Sequence, residues 1–146
     1  MYISDKMIKK AGLFPSGKYD AVINHVTVRQ VEEHPGKIYP CWYFYIDILK
    51  KDKWHPYVYC MRCDAKPNPE YSDIFEDLRQ VMNLTFESIK PDDIENLHVS
   101  IKLDCTIDVS SAFLITASMR NIILKIEKAD IDKSLLDKRK KIEYVF

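Results

Sequence analysis

The chain has 146 residues, 47% of them apolar and 30% charged, with a formal net charge of zero. That length suits one domain with its own core, and the neutral balance excludes a protein working through one strong global field. No stretch approaches the ~18 consecutive apolar residues of a membrane span.

Nine tyrosines stand against only three glycines, a bias that suits strands and adhesive surfaces more than a helical bundle. Residues 1–70 hold 11 Lys/Arg and 8 Asp/Glu, and residues 71–146 hold 11 and 14. Any anion-binding face should therefore draw on the first half. The opening "MYISDKMIKKAGLFPSG" lacks the apolar run and cleavage site of a secretory signal. Four cysteines without such a signal read as reduced thiols, and a cytoplasmic location is expected.

Residues 1–17 form a lead-in with one helical turn over Ser4–Lys10, broken by Gly12, Pro15 and Gly17. "KYDAVINHVTV" (18–28) is the first strand, followed by a loop over 32–40 that Pro35-Gly36 and Pro40 punctuate. "CWYFYIDIL" (41–49) alternates, with Trp42, Phe44, Ile46 and Ile48 on one face and Cys41, Tyr43, Tyr45 and Asp47 on the other. After the turn at 50–53 comes a third strand to Cys63, in which Val58 and Cys60 are expected inside and Tyr57, Tyr59 and Met61 outside.

Asn68 and Pro69 then open an amphipathic helix whose apolar positions Tyr71, Ile74, Phe75, Leu78, Val81 and Met82 run to about Asn83. A linker spans 85–96. The fourth strand, 98–109, places Val99, Ile101, Leu103, Cys105, Ile107 and Val109 inward. Residues 110–119 read equally as loop, hairpin tip or short strand. Residues 120–130 form the last strand, and 133–146 a charged helix or frayed end.

Three strands, a helix and two more strands make a mainly β chain. Its order is that of the OB fold, a five-stranded Greek-key barrel with a helix between strands three and four; other small α+β meanders share it. The expected division is a lead-in (1–17), the barrel domain (18–130) and a charged tail (131–146).

"YCMRC" (59–63) is the one Cys-x-x-Cys, and zinc wants four converging ligands, usually as two pairs. Cys60 and Cys63 sit three apart on a strand and so point to opposite faces, while Cys41 and Cys105 are isolated. Thioredoxin-like chemistry would need the first Cys at a helix N-terminus, and this pair ends a strand. No Gly-rich phosphate loop, His-Glu-x-x-His or Gly-x-Ser-x-Gly occurs. Neither an enzyme, a metal nor a cofactor is expected.

The remaining constellation is aromatic. On the expected parity Tyr43, Tyr45, Tyr57 and Tyr59 pave one exposed sheet face with Trp54 at its margin, where bases can stack at about 1–3 kcal/mol each. Arg29, Lys37, Lys51, Lys53 and Arg62 flank it for phosphates, with Lys50 in the same turn. Phe113 and Arg120 are further candidates in the last loop. Cross-strand tyrosines also stabilise sheets or line a homodimer interface.

"LFPSGKYDAVI", "WYFYIDIL" and "NPEYSDIFEDLRQVM" together resemble phage-encoded OB-fold single-stranded DNA-binding proteins. The shared features are a Pro-x-Gly-x-Tyr-x-x-x-Ile opening and an Asn-Pro-led helix after strand three, over roughly residues 13–103. The chain departs from that pattern at "ENLHV" (95–99), where Gly-Lys is usual, and in ending basic and apolar rather than acidic. The resemblance implies single-stranded DNA as partner, with replication or recombination proteins of a phage or mobile element inside a bacterial host cell. The alternative is an OB-fold protein-interaction module, such as a homodimer or replication accessory, without nucleic-acid contact.

Overall fold

A computed structural model describes residues 4–62, 69–83, 90–109 and 117–139. Helix α1 (Asp5–Lys10) leads into β1 (Gly17–His34), β2 (Lys37–Lys50) and β3 (Lys53–Arg62). Helix α2 (Pro69–Met82), a 3-10 turn at Pro91–Ile94, β4 (Leu97–Val109), β5 (Ala117–Lys128) and the short α3 (Lys133–Leu136) follow. The five strands form one antiparallel sheet in the order β3-β2-β1-β4-β5. The fold is mainly β.

Local signals explain most boundaries. Ser4 caps α1, its hydroxyl accepting from Met7 N–H at 3.2 Å. Asn83 ends α2 in the left-handed region at φ 52°, a conformation asparagine tolerates. The loop expected over 32–40 is instead a tight turn at Pro35-Gly36 with His34 paired to Lys37; Gly36 supplies the required φ of +81°. The strands run through on both sides. Pro40 is tolerated in β2 because β3 ends opposite Cys41, leaving its nitrogen on an edge.

Two bulges set which side chains face inward. On β1 the register slips between Ile23 and His25, so Ala21 and Ile23 are followed inward by Val26 rather than His25. On β5 the slip opposite Lys102/Leu103 skips Leu124, which is 43% exposed, while Ile123 and Ile126 are buried. The core gathers these with Phe44, Ile46, Ile48, Tyr59, Met61, Val99, Ile101 and Leu103, and Ile74 and Leu78 of α2 join them. Asp77 of α2 accepts the Ile126 N–H at 2.9 Å, tying the helix to β5.

The outermost strands approach each other around this core. The Tyr57 hydroxyl donates to Asn121 O at 3.0 Å, and Phe14 of the lead-in packs 5.9 Å from the Tyr57 ring. Asn121 holds Phe14 by both backbone groups, accepting from its N–H at 2.9 Å and donating to its carbonyl at 2.8 Å.

Beside it, Asp104 accepts from Ser16 Oγ at 2.6 Å and Cys105 N–H at 2.8 Å. The Ser16 bond first, then the backbone bond, hold the Asp104 carboxyl below the usual range. A lowered folded pKa gives stability above the unfolded value and loses it as pH falls through the folded one. Ser16→Ala should therefore raise the Asp104 pKa and weaken the dependence of stability on pH below about pH 4, as carboxyl NMR titration and acid unfolding will read.

Candidate functional site

The second hairpin decides where the tyrosines point. Lys51 and Asp52 both have positive φ, 51° and 60°, so the turn has two residues of the kind that matches strand twist. Lys50 thereby pairs with Lys53, Ile46 with Tyr57, Phe44 with Tyr59 and Trp42 with Met61. Directly paired residues share a face. Tyr57, Tyr59 and Met61 accordingly face the core, not the outer surface, and Val58 and Cys60 face outward. Tyr59 is 2% exposed and Met61 fully buried, while Cys60 is exposed. The four-tyrosine platform does not form.

The outer face keeps Tyr43 and Tyr45, but neither is the topmost layer. Tyr45 is buried, with the His25 ring stacked on it at 4.4 Å and 14°. The Arg29 guanidinium lies 5.3 Å from the centre of the half-buried Tyr43 ring and donates to the Tyr45 hydroxyl at 3.4 Å. Both His25 and Arg29 are exposed. The face therefore presents two flat nitrogen-bearing groups resting on two phenol rings. The bulge at Asn24 brings this about: it turns His25, Thr27 and Arg29 to the outer side, across from Tyr45, Tyr43 and Cys41.

Burial first, then the neighbouring Cys60 thiol, push the Tyr43 hydroxyl pKa up, so it stays a neutral phenol at ordinary pH. Between Arg29 and His25, the Thr27 hydroxyl is buried with no hydrogen-bond partner among the described residues. An orphaned hydroxyl there is a group that a ligand or water can satisfy. Sequence reading missed His25 and Thr27 altogether.

The expected phosphate contacts do not all converge. Lys37 opens the 14-residue β2 and Lys51 and Lys53 flank its far end, roughly 40 Å away along the strand; all three are exposed. Arg62 lies in register with Cys41, as does Arg29 on the opposite neighbour. Trp54 is on the outer face, but its indole N–H donates to Leu135 O at 2.8 Å, so the C-terminal segment covers it. Arg120 is away from this face, lining a groove of about 370 Å³ between β3 and β5 with Phe14 and Tyr57. Cys63, Asn68, Phe113 and residues 140–146 lie outside the described residues.

No family model, curated protein or solved structure matches this chain. What the face can do rests on its own residues. Among the described residues no group of three metal-binding side chains occurs, and no helix is long and apolar enough to cross a membrane.

Proposed function

We propose that the chain is an OB-fold module that binds single-stranded DNA, with little sequence preference, across the outer face of β1, β2 and β3. The observation that carries this reading is the layer of His25 and Arg29 on Tyr45 and Tyr43. A flat imidazole or guanidinium backed by an aromatic ring gives a base a stacking surface, and the guanidinium also attracts phosphate. The strand order and the helix between β3 and β4 support the OB-fold assignment, in which this face and the first hairpin loop take oligonucleotides. Arg29, in register with Cys41, and Lys37 at the hairpin tip put cations along one path. A role in phage or mobile-element replication and recombination rests on the sequence resemblance alone.

Anisotropy of a labelled oligo-dT over a salt series tests it. Wild type should bind and weaken steeply with salt, because phosphate neutralisation releases counterions. Arg29→Ala should lower the log–log salt slope by about 0.7, and Tyr43→Ala should weaken binding at every salt by about five- to a hundredfold, from loss of a stacking surface. Absence of binding at low salt, or a double variant that binds as wild type does, sinks the proposal.

One observation favours the protein-interaction reading. On the hairpin arm Val28 and Ile38 are 44% and 60% exposed, two apolar side chains that a protein partner or a second copy could cover. Sedimentation with and without oligonucleotide separates the two readings.

A further inference from the structure

We propose that the segment Asp132–Arg139 is a latch over one end of this same outer face, and that single-stranded nucleic acid displaces it; this rests on the reading of the face given above. Polar contacts attach the segment, whose Leu135 and Leu136 are half-buried. Ile131 is buried just before it, but α3 contains no buried residue, and Lys133, Ser134, Asp137 and Lys138 are exposed. Among the described residues its attachments include the Trp54 indole donating to Leu135 O at 2.8 Å and contacts of Arg139.

Arg139 joins all three strands of the face. It ion-pairs with the buried Asp47 of β2 at 3.1 Å, donates to Asn24 Oδ1 on the β1 bulge at 2.8 Å, and lies 5.9 Å from the Trp54 ring of β3. These contacts begin where the His25–Tyr45 stack ends, since Asn24 precedes His25 and Asp47 is the next outward residue of β2 after Tyr45. A strand of nucleic acid continuing past Tyr45 meets the latch. Its phosphates compete with Asp47 for the guanidinium, and release exposes Trp54, an indole on the ligand's path. Elements with few apolar contacts open at low cost, so the latch is the part of this face that can yield.

The sign of one substitution tests this. Arg139→Ala removes a positive charge from the path of a polyanion, and on charge alone it weakens binding. A latch predicts the reverse, with oligo-dT bound about three- to tenfold tighter, the factor by which removing the latch raises the fraction of protein with this end of the face open. Trp54→Phe removes the bond to Leu135 O without changing charge, and it should tighten binding likewise. In wild type, the amides of Leu135, Leu136, Asp137 and Arg139, which bond within the segment, should lose hydrogen-exchange protection when oligo-dT saturates the protein.

Equal or weaker binding by both variants, or amide protection that holds or rises in the complex, overturns the latch. If oligo-dT binding then still depends on Tyr43, the face survives without it. Failure of wild type and both latch variants to bind at low salt overturns the face and the latch together.

Discussion

Tyr59→Ala should strongly destabilise the protein rather than disarm a binding surface. Tyr59 is 2% exposed, pairs with Phe44, and has its ring 6.4 Å from Phe44 and 6.3 Å from Tyr57. Truncating a buried aromatic leaves a cavity bounded by rings that cannot collapse into it, and costs about 3–5 kcal/mol. Against a total stability of about 5–15 kcal/mol, that is a large fraction. Tyr43→Ala, on the other face of the sheet, removes a half-buried ring and one cation–π contact and should cost about 1 kcal/mol. Urea unfolding of the two variants reads the difference directly. Equal and small losses would return Tyr59 to the surface and restore the four-tyrosine platform.

The contrast turns on one turn. In "WHPYVYCMRC" both faces carry groups that can be buried: Tyr57, Tyr59 and Met61 on one, Val58 and Cys60 on the other. Alternation alone cannot choose between them. The register could have chosen, because a two-residue turn at Lys51-Asp52 forces Tyr57 opposite Ile46. Lys-Asp is not the Asn-Gly or Asp-Gly that signals such a turn, and the hairpin was therefore not countable from sequence. Strands with a polar face posed no such problem. In β4, Val99, Ile101 and Leu103 are fully buried and Lys102 is exposed, as its pattern indicates. Helix α2 was equally legible through Ile74 and Leu78.

The outer face was half legible for a related reason. Arg29 and Tyr43 were visible as an exposed cation and an outward ring of an alternating strand. Their contact was not, and His25 was passed over because Asn24 sits where period two expects continued alternation. A bulge adds one residue and moves everything after it to the other face. Nothing in "VINHVTV" marks its place. The same shift that buries Val26 lifts His25 onto Tyr45 and turns the Asn24 side chain toward Arg139. One irregularity thus joins the core, the stacking layer and the latch. It also lets a chain of zero net charge carry the polyanion site proposed above: the cation is fixed over the ring by register, not by bulk charge.

Asn121→Ala should release the N-terminal lead-in and cost about 2–4 kcal/mol. The side chain is 7% exposed, and its amide is fixed in orientation by Phe14, whose N–H must meet Oδ1 and whose carbonyl must meet Nδ2. The same Nδ2 lies 3.3 Å from Asp104 O and 3.4 Å from Cys105 Sγ. Alanine leaves the Phe14 N–H without a partner in a half-buried site and its carbonyl with only the weak Cys105 thiol donor at 3.4 Å, and each group so deprived costs about 1–3 kcal/mol unless water reaches it. Water reaches them only if residues 12–15 lift away, which also strips Phe14 from the Tyr57 and His55 rings that it contacts at 5.9 and 6.2 Å. Hydrogen exchange should therefore show protection lost at Leu13 and Phe14 before the β4 and β5 amides. Because the bonds and the ring contacts are released together, Asn121→Ala and Phe14→Ala should be strongly non-additive, with a coupling of about 1 kcal/mol or more. Simple additivity in urea unfolding would mean that Asn121 stabilises the sheet without holding the lead-in. Asn121→Asp is the stricter variant: it keeps the acceptor for the Phe14 N–H, but it removes the donor and sets a second carboxylate near Asp104. It should be less stable than Asn121→Ala at pH 7 and recover as pH falls and the new carboxylate is protonated.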